Sequence, residues 1–131
     1  MKTQKLDKKF EQLRDCIVHA MHEKQAENVV SIDLRKFNNR LAEMFIICHG
    51  NSVTQVEAIA DYVEELSVKQ MHQKPFHREG FENKEWILLD YFDIVVHVFL
   101  EEKRDFYSIE QLWGDGEIVK YTETSNLKKQ N

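Results

Sequence analysis

The stretch EWILLDYFDIVVHVF, residues 85–99, is apolar at most positions, yet shorter than the ~18 residues needed to cross a bilayer. Its two halves read as antiparallel strands joined at Phe92 and Asp93. In that register Tyr91 faces Ile94, Leu89 faces Val96 and Ile87 faces Val98 on one side of the pair. On the other side Asp90 opposes Val95, Leu88 opposes His97 and Trp86 opposes Phe99. A solvated sheet face carries polar residues in alternation, and this second face does not. Something covers it: either an element of the same chain, which makes a doubly covered central sheet, or another protein, since an exposed apolar patch of this size marks an interaction surface.

Around the hairpin the pattern predicts one α/β unit without repeats. Leu6, Phe10, Leu13, Ile17, Val18 and Met21 recur at helical spacing and predict an amphipathic helix over 5–25. NVVSIDL, residues 28–34, reads as a strand, and EMFIIC, residues 43–48, as a second one buried on both faces. The connection RKFNNRLA between them has no assignable shape. Ser52 is a good N-cap for a helix whose stripe is Val53, Val56, Ile59, Ala60, Val63 and Leu66, and Pro75 is expected to end it. PFHREG then reads as a short edge strand. After the hairpin, EEKRDFYSIEQLWGDG begins as a short helix and breaks at Gly114 and Gly116. Residues 1–116 are expected to form the domain and residues 117–131 a polar tail.

Composition narrows the chemistry. Lys and Arg number 18 against 23 Asp and Glu, a formal net charge of −5 spread without a basic cluster. Phosphate binding needs such a cluster, so direct contact with DNA or RNA is disfavoured, whereas a basic protein partner is not. Cys16 and Cys48 lack CxxC spacing, which suits a reducing compartment, and MKTQKLDKKF lacks the apolar core of a signal peptide. The expected location is the cytoplasm, with no membrane contact. His19 and His22 lie three apart on the first helix without a third ligand, so no metal is expected there. Cys48 beside His49 reads as a buried structural thiol, and the turn HGNS lacks the lysine of a phosphate-binding loop. Tyr107 and Trp113 cannot both point inward with Phe106 and Leu112 on a short helix, which leaves aromatic surface of the type that dominates interfaces.

MFIICHGNS with AIADYV, then EGFENKEWILLDYFDIVVHVF, then RDFYSIEQLWGD resemble the ribosomal silencing factor, or Iojap, family over residues 15–115. The resemblance implies a nucleotidyltransferase-like fold, a mixed sheet of about five strands flanked by helices, with neither transferase activity nor a cofactor. In keeping with that, the turn at residues 50–52 is followed by Gln55 and Glu57 rather than by paired carboxylates. The family usually has glycine where this chain has Phe92. Phe suits a tight turn poorly, which predicts a wider turn with Phe92 exposed. The family role implied is repression of translation by binding the large ribosomal subunit through ribosomal protein L14, blocking the small subunit when nutrients are scarce. On that reading Trp86, Leu88 and His97 form one accessible patch, and Tyr107, Leu112, Trp113 and Asp115 form the rest of the docking surface. Glu101, Glu102, Asp105 and Glu110 would steer the encounter. A homodimer of the free protein would compete for the same face. The rival reading is an enzyme in which Asp33, Asp90 and Asp93 hold a metal and the Gly50 turn a phosphate, although the carboxylate spacing is wrong for it.

Overall fold

The computed structural model describes residues 7–38, 40, 42–107 and 116–122, with the side chains of 105–107 excepted. In chain order the elements are α1 (Lys8–Glu23), β1 (Glu27–Asp33), β2 (Met44–Gly50), α2 (Val53–Met71), β3 (His77–Glu79), β4 (Trp86–Asp90), β5 (Ile94–Leu100), α3 (Glu101–Tyr107) and β6 (Glu117–Tyr121). Among the described residues six strands form one mixed sheet in the order β3-β4-β5-β2-β1-β6. Only β2 and β5 run parallel, and they sit at its centre. Every residue of β2 is buried, as are the first six of β5, which is the burial that a nearly continuous apolar strand requires.

Local chemistry accounts for the helices. The Asp7 carboxylate accepts the Phe10 N–H at 2.8 Å and starts α1, and the Ser52 hydroxyl accepts the Gln55 N–H at 3.1 Å and starts α2. Both helices lie on one sheet face, where Leu13, Ile17, Met21, Val56, Ile59 and Val63 share a core with Ile46, Val96 and Leu89. α2 does not run on to Pro75. It ends at Met71 because His72 turns left-handed (φ 55) and the Gln73 N–H reaches back to the Ser67 carbonyl at 3.1 Å, a closing pattern complete before the proline.

The hairpin register is the expected one, from Trp86↔Phe99 to Asp90↔Val95. The turn, however, is not widened. The Tyr91 N–H donates to the Ile94 carbonyl at 2.8 Å across Phe92 and Asp93, and Phe92 takes the left-handed conformation itself (φ 83). The tail also needs correction. Residues 117–121 pair with β1, Val29 opposite Tyr121 and Asp33 opposite Glu117, so the sheet has six strands rather than about five and the domain passes 116. β6 is exposed along most of its length, which is why its composition reads as a tail.

Candidate interaction surface

The second sheet face carries its own cluster: Val30, Ile32, Phe45, Ile47, Val95 and Phe99, joined by Leu34 and Ala42 from the β1–β2 connection, with Phe37, Trp86 and Leu88 packed at its margin. The central strands are therefore buried on both sides. β4 lies one strand from the edge, and there the cover thins: Trp86, Leu88 and Asp90, which share this face, are each half-buried, while the β3 residues beside them are exposed.

His97 does not belong to an accessible patch; it is 2% exposed. The Trp86 indole N–H donates to His97 Nδ1 at 3.0 Å, and the Trp86 ring stacks on Phe99 with centroids 5.1 Å apart. Phe45 meets the imidazole edge-on at 4.5 Å. Because Nδ1 accepts, the imidazole proton sits on Nε2, a buried atom with no hydrogen-bond partner among the described residues. Burial pushes the His97 pKa down to about 3, so the ring is neutral and holds Trp86 in place from beneath. The part of the expected patch that solvent reaches is Trp86 with Leu88. Tyr107 closes α3, but its side chain lies outside the described residues, as do Leu112, Trp113 and Asp115. Glu101 and Glu102 are described and exposed; the Asp105 side chain and Glu110 are not described.

At the turn end of the hairpin the chain exposes two more aromatics, Phe76 and Phe92, in edge-to-face contact at 5.5 Å. Asp90 organises both, its carbonyl accepting the Phe76 N–H and its carboxylate the Phe92 N–H, each at 2.8 Å. Phe76 carries no sequence signal, because only the fold brings it beside the turn.

The rival metal-and-phosphate constellation is not assembled. Asp93 accepts the Met44 N–H through its carbonyl, so the hairpin turn and Asp33 lie at the start of β2, whereas Gly50 ends it. At ~3.3 Å per residue the seven-residue strand separates them by roughly 20 Å. Asp33 is committed to Arg35, whose Nη2 lies 2.8 Å away. Burial raises the Asp33 pKa, but the hydrogen bonds and charge of Arg35 outweigh it and hold the carboxyl below its usual range. Gln55 is structural: its amide oxygen accepts the Asn51 N–H at 2.7 Å, and its amide nitrogen donates to the Lys24 and Gln25 carbonyls. His22 is buried while His19 is exposed beside Glu23, so the two do not face one ligand. Burial also drives the Cys48 thiol up to about 12, leaving it unreactive. Among the described residues no three His, Cys, Asp or Glu side chains are grouped to hold a metal.

Sequence reasoning missed one buried pair. Beyond Gly50, Arg104 donates to His49 Nδ1 at 2.9 Å, and His49 Nε2 lies 3.3 Å from Glu27. They border a cleft of about 470 Å³ that Asn28 and Lys120 also line.

The family model described as "Ribosomal silencing factor during starvation" matches residues 7–131. The chain belongs to this family. Among curated members of the silencing factor family, "Ribosomal silencing factor RsfS" of Halalkalibacterium halodurans is 38% identical over 109 residues, covering 83% of this chain and 92% of that one. The protein of the same name from Bacillus subtilis is 38% identical over 106 residues, 76% of this chain and 83% of its own. "Protein Iojap, chloroplastic" of Zea mays is 31% identical over 106 residues, 77% of this chain but 46% of that longer protein. The silencing factor fold is also seen in a crystal structure of a Chromobacterium violaceum protein, which superimposes with a TM-score of 0.74 at 33% identity over 79% of this chain and 85% of that one.

Proposed function

We propose that this silencing factor represses translation by binding the large ribosomal subunit through ribosomal protein L14 and sterically blocking association with the small subunit under nutrient limitation. The observation that carries the reading is the family match over residues 7–131. A mouse relative, 25% identical over 101 residues, is named "Mitochondrial assembly of ribosomal large subunit protein 1", which points to the same subunit. The proposed contact is the half-exposed Trp86 and Leu88 of β4, extended by Tyr107, Leu112, Trp113 and Asp115. His97 contributes from beneath by fixing Trp86. The net charge of −5 favours encounter with a basic ribosomal protein in the cytoplasm. No catalytic step is needed, because occupying the joining face suffices.

The test is co-sedimentation with purified large subunits, with and without small subunits. The chain is expected to migrate with the large subunit and to reduce the joined particle; joined ribosomes at full yield under saturating chain would defeat the reading. Trp113→Ala is expected to raise the dissociation rate, and Glu110→Lys with Asp115→Lys chiefly to slow association. A free homodimer using the same face would show as a concentration-dependent sedimentation coefficient, and the large subunit would compete with it.

A further inference from the structure

We propose that the Phe76–Phe92 pair at the tip of the β4–β5 hairpin is a second anchor of the docking surface, taking an arginine- or lysine-bearing segment of a basic protein. The proposal rests on the ribosomal reading above, and geometry singles out this pair within it. Phe76 is 76% exposed and Phe92 71%, far beyond the other large apolar side chains among the described residues. Their rings meet at 82°, so each presents a free face, and an aromatic face attracts a guanidinium or ammonium group. Neither ring is placed by hydrophobic burial. Asp90 holds both backbones through the two 2.8 Å bonds described above, and Phe92 keeps a φ of 83 that a side chain disfavours. Among the described residues only the edge-to-face contact with Phe76 meets the ring, which stays 71% exposed.

Charge selects the occupant. Beside Phe92 opens a cleft of about 480 Å³ lined by Glu43, Asp90, Asp93 and Arg40, and Arg40 is engaged by Glu43 at 3.5 Å. Burial and then the like charges of Glu43 and Asp7 raise the Asp93 pKa, so the carboxylates here repel one another. A cation entering the cleft relieves this, and a nucleic-acid phosphate worsens it. The surface is also continuous with the proposed contact, since Trp86, Leu88 and Asp90 follow one another on the same face of β4.

The experiment compares the full chain with Phe92→Gly and Phe76→Ala for binding to purified large subunits, isolated ribosomal protein L14 and protein-free ribosomal RNA. Glycine accepts a positive φ, so Phe92→Gly folds with an unchanged or higher melting temperature. Each variant is expected to bind L14 and the large subunit about tenfold more weakly, the effect of losing an interface aromatic. Unchanged affinity of both folded variants, with the wild-type chain bound, overturns this inference and leaves the ribosomal reading standing. If the wild-type chain binds neither L14 nor large subunits, the ribosomal reading fails and the anchor falls with it. Loss of affinity for naked RNA alone, or loss of a homodimer with L14 affinity intact, assigns the pair to another occupant and overturns the proposal.

Discussion

Trp86 and His97 depend on each other, and two substitutions separate their roles. Trp86→Phe keeps a ring against Phe99 but removes the donor to His97 Nδ1, leaving a buried acceptor unpaired. The expected loss is about 1–3 kcal/mol by urea unfolding, together with weaker ribosome binding. If stability is unchanged, the indole–imidazole bond contributes nothing in solution. His97 gives the fold a pH dependence. Its folded pKa of about 3 lies below the ordinary imidazole value of about 6.5, so the unfolded chain takes up the proton first as pH falls. Stability conferred by the neutral ring is intact above about pH 6.5 and is lost progressively toward pH 3, with a slope of up to about 1.4 kcal/mol per unit. Unfolding midpoints measured from pH 7 to pH 4 are expected to fall more steeply for the wild-type chain than for His97→Leu. Parallel curves would mean that His97 titrates freely and is not buried.

At the scale of elements, the caps act independently of the surface. Ser52→Ala removes the acceptor that starts α2 and is expected to cost about 1 kcal/mol, read as a lower melting temperature with ribosome binding preserved. β6 shows how an edge element can matter despite exposure. It covers the outer edge of β1, and its Tyr121 hydroxyl lies 3.0 Å from the Ser31 hydroxyl. A chain ending at Gly116 is expected to unfold at lower urea and to exchange the β1 amide protons faster. An unchanged midpoint would show that β1 needs no partner on that side. The start of α2 and the hairpin register were legible because each is set by residues a few positions apart: Ser52 with Gln55, or Leu88 with His97 through period-two alternation. β6 was not, since residues 117–121 have no buried face of their own and become a strand only through β1.

For the whole molecule, the net charge of −5 and the carboxylates at the hairpin tip make association with a basic partner depend on ionic strength. The association rate with large subunits is expected to fall as salt rises, and the slope to flatten in Asp93→Asn; a salt-independent rate would remove electrostatic steering from the account. By itself the sequence determined the mixed α/β class, the start of α2, the hairpin pairing and the family, because these follow from local periodicity, capping chemistry and contiguous motifs. It also showed that the second hairpin face is apolar, but left open whether the same chain or another protein covers it. Only the tertiary structure decided that His97 is buried while Trp86 stays half open, that Phe76 meets Phe92, and that Asp33 and Gly50 sit at opposite ends of β2. The reason is that exposure and proximity depend on partners remote in the chain, such as Arg104 and His49, 55 positions apart, or Ser31 and Tyr121, 90 apart. No local pattern encodes such pairs, and the packed sheet brings them together.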